Sequence, residues 1–203
     1  MRGFAATLAL LVAALVTAGC APTRLARAPE VLLDSRQLAV AAFDPWSADG
    51  RISFSFDDRN ASSRMLWRQR GGDFSIDLRA PAAGGSWRLS ANASGALLEG
   101  AGPEPLRDAD ADTLLAQKIN WPLPIAVIRA WLRGLPYGAD AQVRWDSAGL
   151  PATIVDQGWR IEYRRWQPAA AGAPAMPSLI VARRGEDDFR VAVSRWGDGD
   201  GGD

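Results

Sequence analysis

Alternation of apolar and polar residues is the feature that most constrains the fold of this chain. Apolar side chains recur at every second position in four segments between residues 52 and 91. They are Ile52, Phe54 and Phe56; Met65 and Trp67; Phe74, Ile76 and Leu78; and Trp87, Leu89 and Ala91. A period of two gives a β-strand one apolar face and one hydrated face. The short intervening segments are rich in turn-forming residues, which predicts an antiparallel meander.

The middle of the chain interrupts this alternation and predicts two helices. The first covers residues 108–118 and carries acidic residues in its first turn, where the helix dipole favours negative charge. The second covers residues 125–133, with Pro124 suited to its start and Gly134 to its end. Because both helices have an apolar side, we expect them to pack across the aromatic face of the sheet as a lid.

A third helix and a second set of strands flank these inserted helices. Residues 30–43 have the apolar spacing of an amphipathic helix, which is expected to begin near Asp34. Alternating or apolar segments resume after the helices. They are Val143 and Trp145; residues 150–155; Trp159, Ile161 and Tyr163; residues 178–182; and Phe189, Val191 and Val193. The residues thus predict one twisted antiparallel sheet, with one helix before it and two helices inserted.

The first nineteen residues have the features of a cleavable secretory signal. Arg2 precedes an apolar run over residues 4–16 that is too short to span a bilayer comfortably. Small residues before Cys20 resemble a lipobox, which implies cleavage before this cysteine and attachment of lipid to its thiol. An ordinary signal followed by a chance cysteine is the alternative, but Cys20 is the only cysteine in the chain. In similar lipoproteins an aspartate directly after the cysteine retains the protein in the inner membrane. Position 21 is alanine, so the resemblance implies sorting to the outer membrane.

These elements divide the chain into four parts. Residues 1–19 are the predicted signal, and residues 20–29 are a lipidated tether. Residues 30–196 are long enough for a single domain with a sizeable core. Residues 197–203 are rich in Gly and Asp and are predicted to be a disordered tail.

The composition removes many catalytic designs. The chain contains no histidine, so histidine-based triads and histidine metal sites are excluded. Its single thiol is expected to carry lipid, which removes cysteine nucleophiles and thiolate sites. The 23 basic and 23 acidic residues balance, so no nucleic-acid partner is expected. Many common catalytic designs are therefore excluded, although carboxylate chemistry remains open.

Tryptophan is abundant, with nine residues in the chain. Several of them fall on the alternating face of the predicted strands. A concave aromatic face suits an alkyl chain, because burial of apolar surface stabilises by about 25 cal/mol per Å². A tryptophan-rich core without a ligand is the alternative, and the spacing alone favours it.

An ordered series of motifs resembles the LolB family of outer-membrane lipoprotein receptors. The motifs are WSADGR at 46–51, LWRQ at 66–69, WPLP at 121–124, WLRGLP at 131–136, QGWRIEY at 157–163 and MP at 176–177. The resemblance extends from about Asp34 to Trp196. It implies a mainly β fold with an α lid: an incomplete, unclosed antiparallel β-barrel whose helices cover a hydrophobic cavity.

The resemblance also implies a function without covalent chemistry, so we expect no catalytic residue, no metal site and no cofactor. The protein would accept lipoproteins from the soluble periplasmic carrier LolA by binding their acyl chains, and would insert them into the outer membrane. The implied partners are LolA, cargo lipoproteins and outer-membrane lipid. We expect a monomer anchored through Cys20 at the periplasmic face. Twelve residues are expected to line the acyl-chain cavity: Phe54, Phe56, Met65, Trp67, Ile76, Leu89, Leu115, Ile128, Trp131, Trp145, Trp159 and Ile161.

One segment departs from the family pattern. The family carries a Pro-Leu-Gly turn on a protruding loop, and its leucine is implicated in membrane insertion. The matching residues here are Pro81, Ala82, Ala83 and Gly84, and alanine offers less apolar area than leucine. These four residues are therefore predicted to form a membrane-insertion loop with a weakened anchor, and a plain surface turn is the alternative.

Other interpretations remain open from the sequence alone. The chain is either this receptor, an outer-membrane lipoprotein enzyme that cleaves glycan through paired carboxylates, or a structural envelope lipoprotein with a filled core. The enzyme would need residues such as Asp57, Asp58, Asp73 and Glu99, although no spacing marks a pair. Arg51 is expected either to bridge lid and sheet or to lie on the hydrated face.

Overall fold

Eleven antiparallel strands form one sheet in the computed structural model, which describes residues 29–56, 59–80, 85–119, 123–170 and 172–199. In chain order the strands are β1 (Trp46–Phe56), β2 (Arg59–Arg70), β3 (Asp73–Ala80), β4 (Gly85–Asn92), β5 (Gly95–Glu99), β6 (Leu106–Asp108), β7 (Gln142–Trp145), β8 (Pro151–Asp156), β9 (Trp159–Gln167), β10 (Met176–Arg184) and β11 (Asp187–Gly197). Their order across the sheet is β6-β5-β4-β3-β2-β1-β11-β10-β9-β8-β7. The sheet is open, because β6 and β7 are its two edges.

The first and last strands pair with each other in the middle of this sheet. Ile52 of β1 lies opposite Val191 of β11, and the register shifts at Gly50. A side chain at Gly50 would collide with the backbone of Ala192, so this bulge requires a residue without a Cβ. The pairing joins two meanders, β1–β6 and β7–β11, that the alternation predicts only as separate runs.

Three helices complete the described structure: α1 (Pro29–Ala41), α2 (Ala111–Ile119) and α3 (Ile125–Leu132). Both α2 and α3 lie between β6 and β7 in the chain, so this segment links the two edges of the sheet. The mainly β, unclosed architecture with three helices confirms the expected fold class. However, α1 begins at Pro29 and not near Asp34, because a proline is well suited to the first turn of a helix.

The alternating residues face the core as predicted. Ile52, Trp67, Ile76 and Leu89 are all buried. Their chain neighbours Arg51, Arg68, Asp77 and Arg88 point to the outer face and are half-buried or exposed. Two short strands, β5 and β6, have no counterpart in the sequence prediction, because they carry too few alternating residues for a period to be recognised. The last strand also continues through Gly197, one residue into the predicted tail.

The lid helices lie close to their predicted positions, except that α2 begins at Ala111 and not at Asp108, because Leu106–Asp108 pair with β5 as strand β6. Asp110 precedes α2, and its carboxylate accepts the Thr113 N–H at 2.9 Å, as an N-cap does. At the end of α3, Gly134 has a φ of 72°, and the N–H of Leu135 donates to the Ala130 carbonyl at 3.0 Å. This is a Schellman motif, which turns the chain away from the helix axis towards β7.

Candidate functional site

An apolar cavity lies between the first half of the sheet and the lid helices. Strands β1 to β4 form one wall, and residues of α2 and α3 form the other. All ten described lining residues are apolar or aromatic: Ile52, Met65, Trp67, Ile76, Leu78, Trp87, Leu89, Leu115, Ile125 and Ile128. The strands contribute their inward positions and the helices their apolar sides, so the apolar character of the lining follows from the two hydrophobic periods.

The cavity is small in this conformation. Its volume is about 30 Å³, which is room for about two or three water-sized spheres. Sites for small organic ligands usually measure about 300–1,000 Å³. An acyl chain therefore does not fit until the lid or the aromatic lining side chains move apart.

Half of the residues predicted to line a cavity meet at this place. Six of the twelve are in its wall: Met65, Trp67, Ile76, Leu89, Leu115 and Ile128. Four further lining residues, Ile52, Leu78, Trp87 and Ile125, were not among the twelve. Each of these four lies on the alternating face or the α3 stripe, so the pattern identified its inward side. The pattern does not tell which inward positions border a void.

The other six predicted residues lie elsewhere. Phe56, Trp131, Trp159 and Ile161 are buried in the packed core, and Phe54 packs against that core. Trp145 is on the edge strand β7, where it lines a surface groove of about 870 Å³ beside α1. Charged residues such as Arg144 and Asp146 also line this groove, which makes it a poor match for a hydrocarbon chain.

A buried carboxylate fastens the C-terminal end of α3 to the sheet. Asp156 of β8 accepts hydrogen bonds from Trp131 Nε1 at 2.8 Å and from the backbone N–H groups of Tyr137 at 2.6 Å and Gly138 at 3.0 Å. The Tyr163 hydroxyl donates to the Trp131 carbonyl at 2.9 Å. Burial raises the pKa of Tyr163, so its hydroxyl stays neutral and remains a donor. Sequence patterns gave no signal for this arrangement, because Asp156 follows a strand as any turn residue would.

The N-terminal end of α3 is tied to α2. The Ile125 N–H donates to Asp112 Oδ1 at 2.7 Å, so a residue of α2 satisfies a free donor of the next helix. Burial raises the pKa of the Asp112 carboxyl, and the bond from Ile125 partly opposes that change. The two lid helices are therefore linked to one another as well as to the sheet.

Arg36 connects α1 to the same end of α3. Its guanidinium is buried, donates to the carbonyl oxygens of Ala175 and Arg133, and lies 5.0 Å from the centre of the Trp166 ring. Burial lowers the pKa of Arg36 to about 10, so the group is still charged at neutral pH. A positive charge next to the last carbonyls of α3 also favours the helix dipole. Sequence analysis did not single out Arg36.

Several residues with an expected role lie either outside the described residues or away from the cavity. Cys20, the four residues of the predicted membrane-insertion loop (81–84), and Asp57 and Asp58 lie outside the described residues. Arg51 is exposed on the outer face of the sheet, opposite to the lid, so it lies on the hydrated face. None of the three described helices has the length and apolar character needed to cross a membrane.

Comparison with known proteins identifies the family. The family model described as "Outer membrane lipoprotein LolB" matches residues 44–196. The chain belongs to the LolB family. One LolB relative, the outer-membrane lipoprotein of Xanthomonas euvesicatoria pv. vesicatoria, is 36% identical over 166 residues, which cover 80% of this chain and 76% of the relative. The LolB protein of Xylella fastidiosa is 30% identical over 197 residues, covering 92% and 91%. These matches confirm the LolB resemblance of the motifs.

Solved structures of other proteins share the fold of this chain. A LolA superfamily protein from Nitrosomonas europaea superposes with a TM-score of 0.55 at 10% identity, covering 84% of this chain and 93% of that one. A putative outer membrane lipoprotein-sorting protein domain from Vibrio parahaemolyticus gives 0.50 at 9% identity, covering 87% and 95%. At such low identity the similarity concerns the fold alone.

Proposed function

We propose that this LolB-family chain accepts lipoproteins from a soluble periplasmic carrier by binding their acyl chains, and that it places them in the outer membrane without any covalent change. The observation that carries the proposal is the wholly apolar cavity between the sheet and the lid. An acyl chain of about sixteen carbons exposed to water costs about 13 kcal/mol, at about 0.8 kcal/mol per CH₂. Transfer across an aqueous space therefore needs an apolar site at both ends.

Lid movement would create the room that the cargo needs. The C-terminal end of α3 is held by Asp156, Tyr163 and Arg36, whereas its N-terminal end is held by a residue of α2. We propose that α2 and the start of α3 move together, with the fastened end of α3 as the pivot. This motion would enlarge the space beside Leu115 and Ile128, the lining residues on the moving side.

A nearly closed resting state suits a receptor that must release its cargo. Only the open fraction of molecules can bind, so the apparent affinity falls in proportion to that fraction. The bilayer then competes successfully for the same acyl chains. The handover needs no energy source if affinity increases from carrier to receptor to membrane.

A lipid anchor would hold the receptor at the membrane to which cargo is delivered. We propose that Cys20 carries the protein's own lipid at the periplasmic face of the outer membrane, and that residues 20–29 give the domain reach. Residues 81–84, which connect β3 and β4, would contact the bilayer during delivery. The anchor and the cavity would thus hold two different lipids, one belonging to the receptor and one to its cargo.

A glycan-cleaving enzyme is less well supported by the geometry. Glycosidases need two carboxyl groups about 5–9.5 Å apart. Glu99 of β5 lies in line with Asp77 of β3, two strands away, through Arg88 of β4. Asp73 lies four residues before Asp77 in β3. Strand spacings then place the Cα atoms of Asp73 and Glu99 about 16 Å apart. These two candidates do not form a catalytic pair.

A cavity-filling substitution tests the proposal. Leu115→Phe adds volume to a cavity-lining position on α2, whereas Leu114→Phe adds the same volume at a neighbouring buried position outside the cavity wall. The assay uses the chain without Cys20, which is the parent of both variants, and a carrier loaded with fluorescent lipoprotein. The parent should take the lipoprotein from the carrier. Leu115→Phe should reduce this uptake while its unfolding free energy changes little, because a void accepts the ring.

The control separates blocked binding from damaged folding. Leu114→Phe should cost about 1–3 kcal/mol of unfolding free energy through overpacking, yet keep most of the uptake. If the parent takes no cargo from the carrier, the proposed function is wrong. If Leu115→Phe takes up cargo as fast as the parent, the cavity is not the acyl-chain site.

A further inference from the structure

Three arginines stand side by side across three neighbouring strands. Arg51 of β1 lies directly opposite Arg64 of β2, and Arg64 lies directly opposite Arg79 of β3. Directly opposed residues point to the same side of a sheet, and all three are exposed on the outer face. Neighbouring strands are about 4.8 Å apart, so this arginine row is about 10 Å long at its Cα atoms.

The arginine row has no acidic partner among the described residues. None of the three guanidinium groups has a hydrogen bond or an ion pair with another described residue. Acidic residues are present on the same face, two positions along the strands, but they are engaged by other arginines. Asp77 pairs with Arg68 at 3.3 Å and with Arg88 at 2.6 Å, and Asp49 pairs with Arg195 at 3.4 Å.

Folding energetics do not account for this arrangement. Like charges placed directly opposite each other destabilise an antiparallel pair, and the arginine row contains two such contacts in succession. An anion from outside the chain would relieve the repulsion. Guanidinium groups suit phosphate especially well, because their planar N–H donors can bind two phosphate oxygens at once.

The position of the arginine row indicates which anion it meets. Arg79 is the second-last residue of β3, and its partner Ser86 is the second residue of β4. The row therefore lies beside the strand ends that flank residues 81–84, while Asp49 and Asp77 lie on the side away from those ends. The arginine row is thus nearer to that connection than Asp49 and Asp77 are.

We propose that the arginine row binds the phosphate groups of anionic phospholipids at a bilayer surface. It would hold the domain so that residues 81–84 face the membrane, and it would supply electrostatic attraction where Ala82 supplies little apolar area. The orientation rests on the proposed function, in which residues 81–84 contact the bilayer. The three arginines point to the same side of neighbouring strands, so they can meet one surface together.

Vesicle binding tests this proposal directly. An ordinary cleavable signal in place of residues 1–20 gives an exported chain without a lipid anchor, and it keeps every described contact, since these lie within residues 29–199. Binding is measured to vesicles of phosphatidylcholine with and without phosphatidylglycerol. The parent should prefer the anionic vesicles, and this preference should weaken as salt rises. The combined substitution Arg51→Gln, Arg64→Gln and Arg79→Gln should lower affinity for anionic vesicles about a hundredfold, at about fivefold per arginine.

A matched control carries the same loss of charge elsewhere. Arg107, Arg165 and Arg183 are also exposed and have no ion pair with a described residue, so their combined change to Gln should leave most of the binding. The arginine-row variant should also unfold at no lower a temperature than the parent, because repulsion is removed. A structural role for the row would instead lower that temperature and overturn the proposal.

The remaining outcomes separate this proposal from the proposed function. Equal vesicle binding by the row variant and the control variant overturns the role of the arginine row. If the row variant binds vesicles normally but takes cargo from the carrier more slowly, the row meets an acidic protein surface and the proposal is also wrong. Uptake of cargo by the parent is measured without vesicles, so failure there contradicts the proposed function and leaves the vesicle comparison to decide the arginine row.

Discussion

Replacement of Asp156 by alanine should loosen the fastened end of the lid. The carboxylate is buried, with 3% of its surface exposed, and accepts three hydrogen bonds from the segment that leaves α3. The change removes all three acceptors together. Trp131 Nε1 then loses its partner in the core, whereas the N–H groups of Tyr137 and Gly138 lose theirs at part-buried positions that water can reach.

The expected magnitude follows from these three donors. A buried donor without a partner costs about 1–3 kcal/mol, which applies to the Trp131 indole, and the two part-buried backbone donors each add less. Removal of a buried charge returns part of that cost, and water can enter the vacated space. We therefore expect Asp156→Ala to lower the free energy of unfolding by about 2–4 kcal/mol, a large part of a typical domain stability of about 5–15 kcal/mol. Asp156→Asn keeps one oxygen and should lose about 1–3 kcal/mol.

Urea unfolding and amide hydrogen exchange measure the two parts of this effect. Urea gives the free energy of unfolding, and exchange at Tyr137 and Gly138 reports local opening of the segment after α3. Asp140→Ala is a suitable control, because this exposed carboxylate lies in the same segment and should change stability by less than about 0.5 kcal/mol. The reasoning is refuted if Asp156→Ala is as stable as Asp140→Ala, or if both amides keep their protection.

Two further substitutions test the central strand pairing and the start of the lid. Gly50→Ala should lower the free energy of unfolding by about 1–3 kcal/mol, because a Cβ would overlap the Ala192 carbonyl. Gly72→Ala is the control and should be close to neutral, since no atom lies near its Cβ. Equal thermal unfolding temperatures of the two variants would contradict this prediction. Asp110→Ala should cost about 1 kcal/mol at pH 7, and Asp110→Asn much less. The Thr113 N–H lowers the pKa of Asp110 below its unfolded value, so this contribution is complete above about pH 4 and is lost as pH falls through the folded pKa. Urea unfolding at pH 7 and at low pH measures the difference, and an unchanged cost of Asp110→Ala at low pH would contradict it.

The predicted fold was largely correct because two local periods carry most of its information. Alternation places Trp67 and Leu89 on the inner face, and the helical stripe places Ile128 there as well. These assignments depend only on which residues avoid water, and neighbours in the chain determine that. The start of α1 was misplaced because two signals competed there, a possible cap at Asp34 and a proline at position 29.

The candidate site was only half predictable. Trp131 and Trp159 have the same inward pattern as Trp67, yet they pack against each other with ring centres 6.2 Å apart and fill the second half of the barrel. Whether an inward side chain fills space or borders a void depends on the volumes of all its neighbours. A short stretch of sequence does not contain this information, because those neighbours come from distant parts of the chain.

The sequence by itself determined the family, the inward faces of most strands, the two lid helices and the absence of histidine chemistry. These properties follow from residue types and their spacing along the chain. Only the tertiary structure decided that β1 pairs with β11, that the cavity is confined to β1–β4, and that Asp156 and Arg36 fasten the lid. It also decided that three arginines, each unremarkable in its own strand, form one row. Each of these features joins residues far apart in the chain, and their contacts arise from packing and register, which local periodicity does not encode.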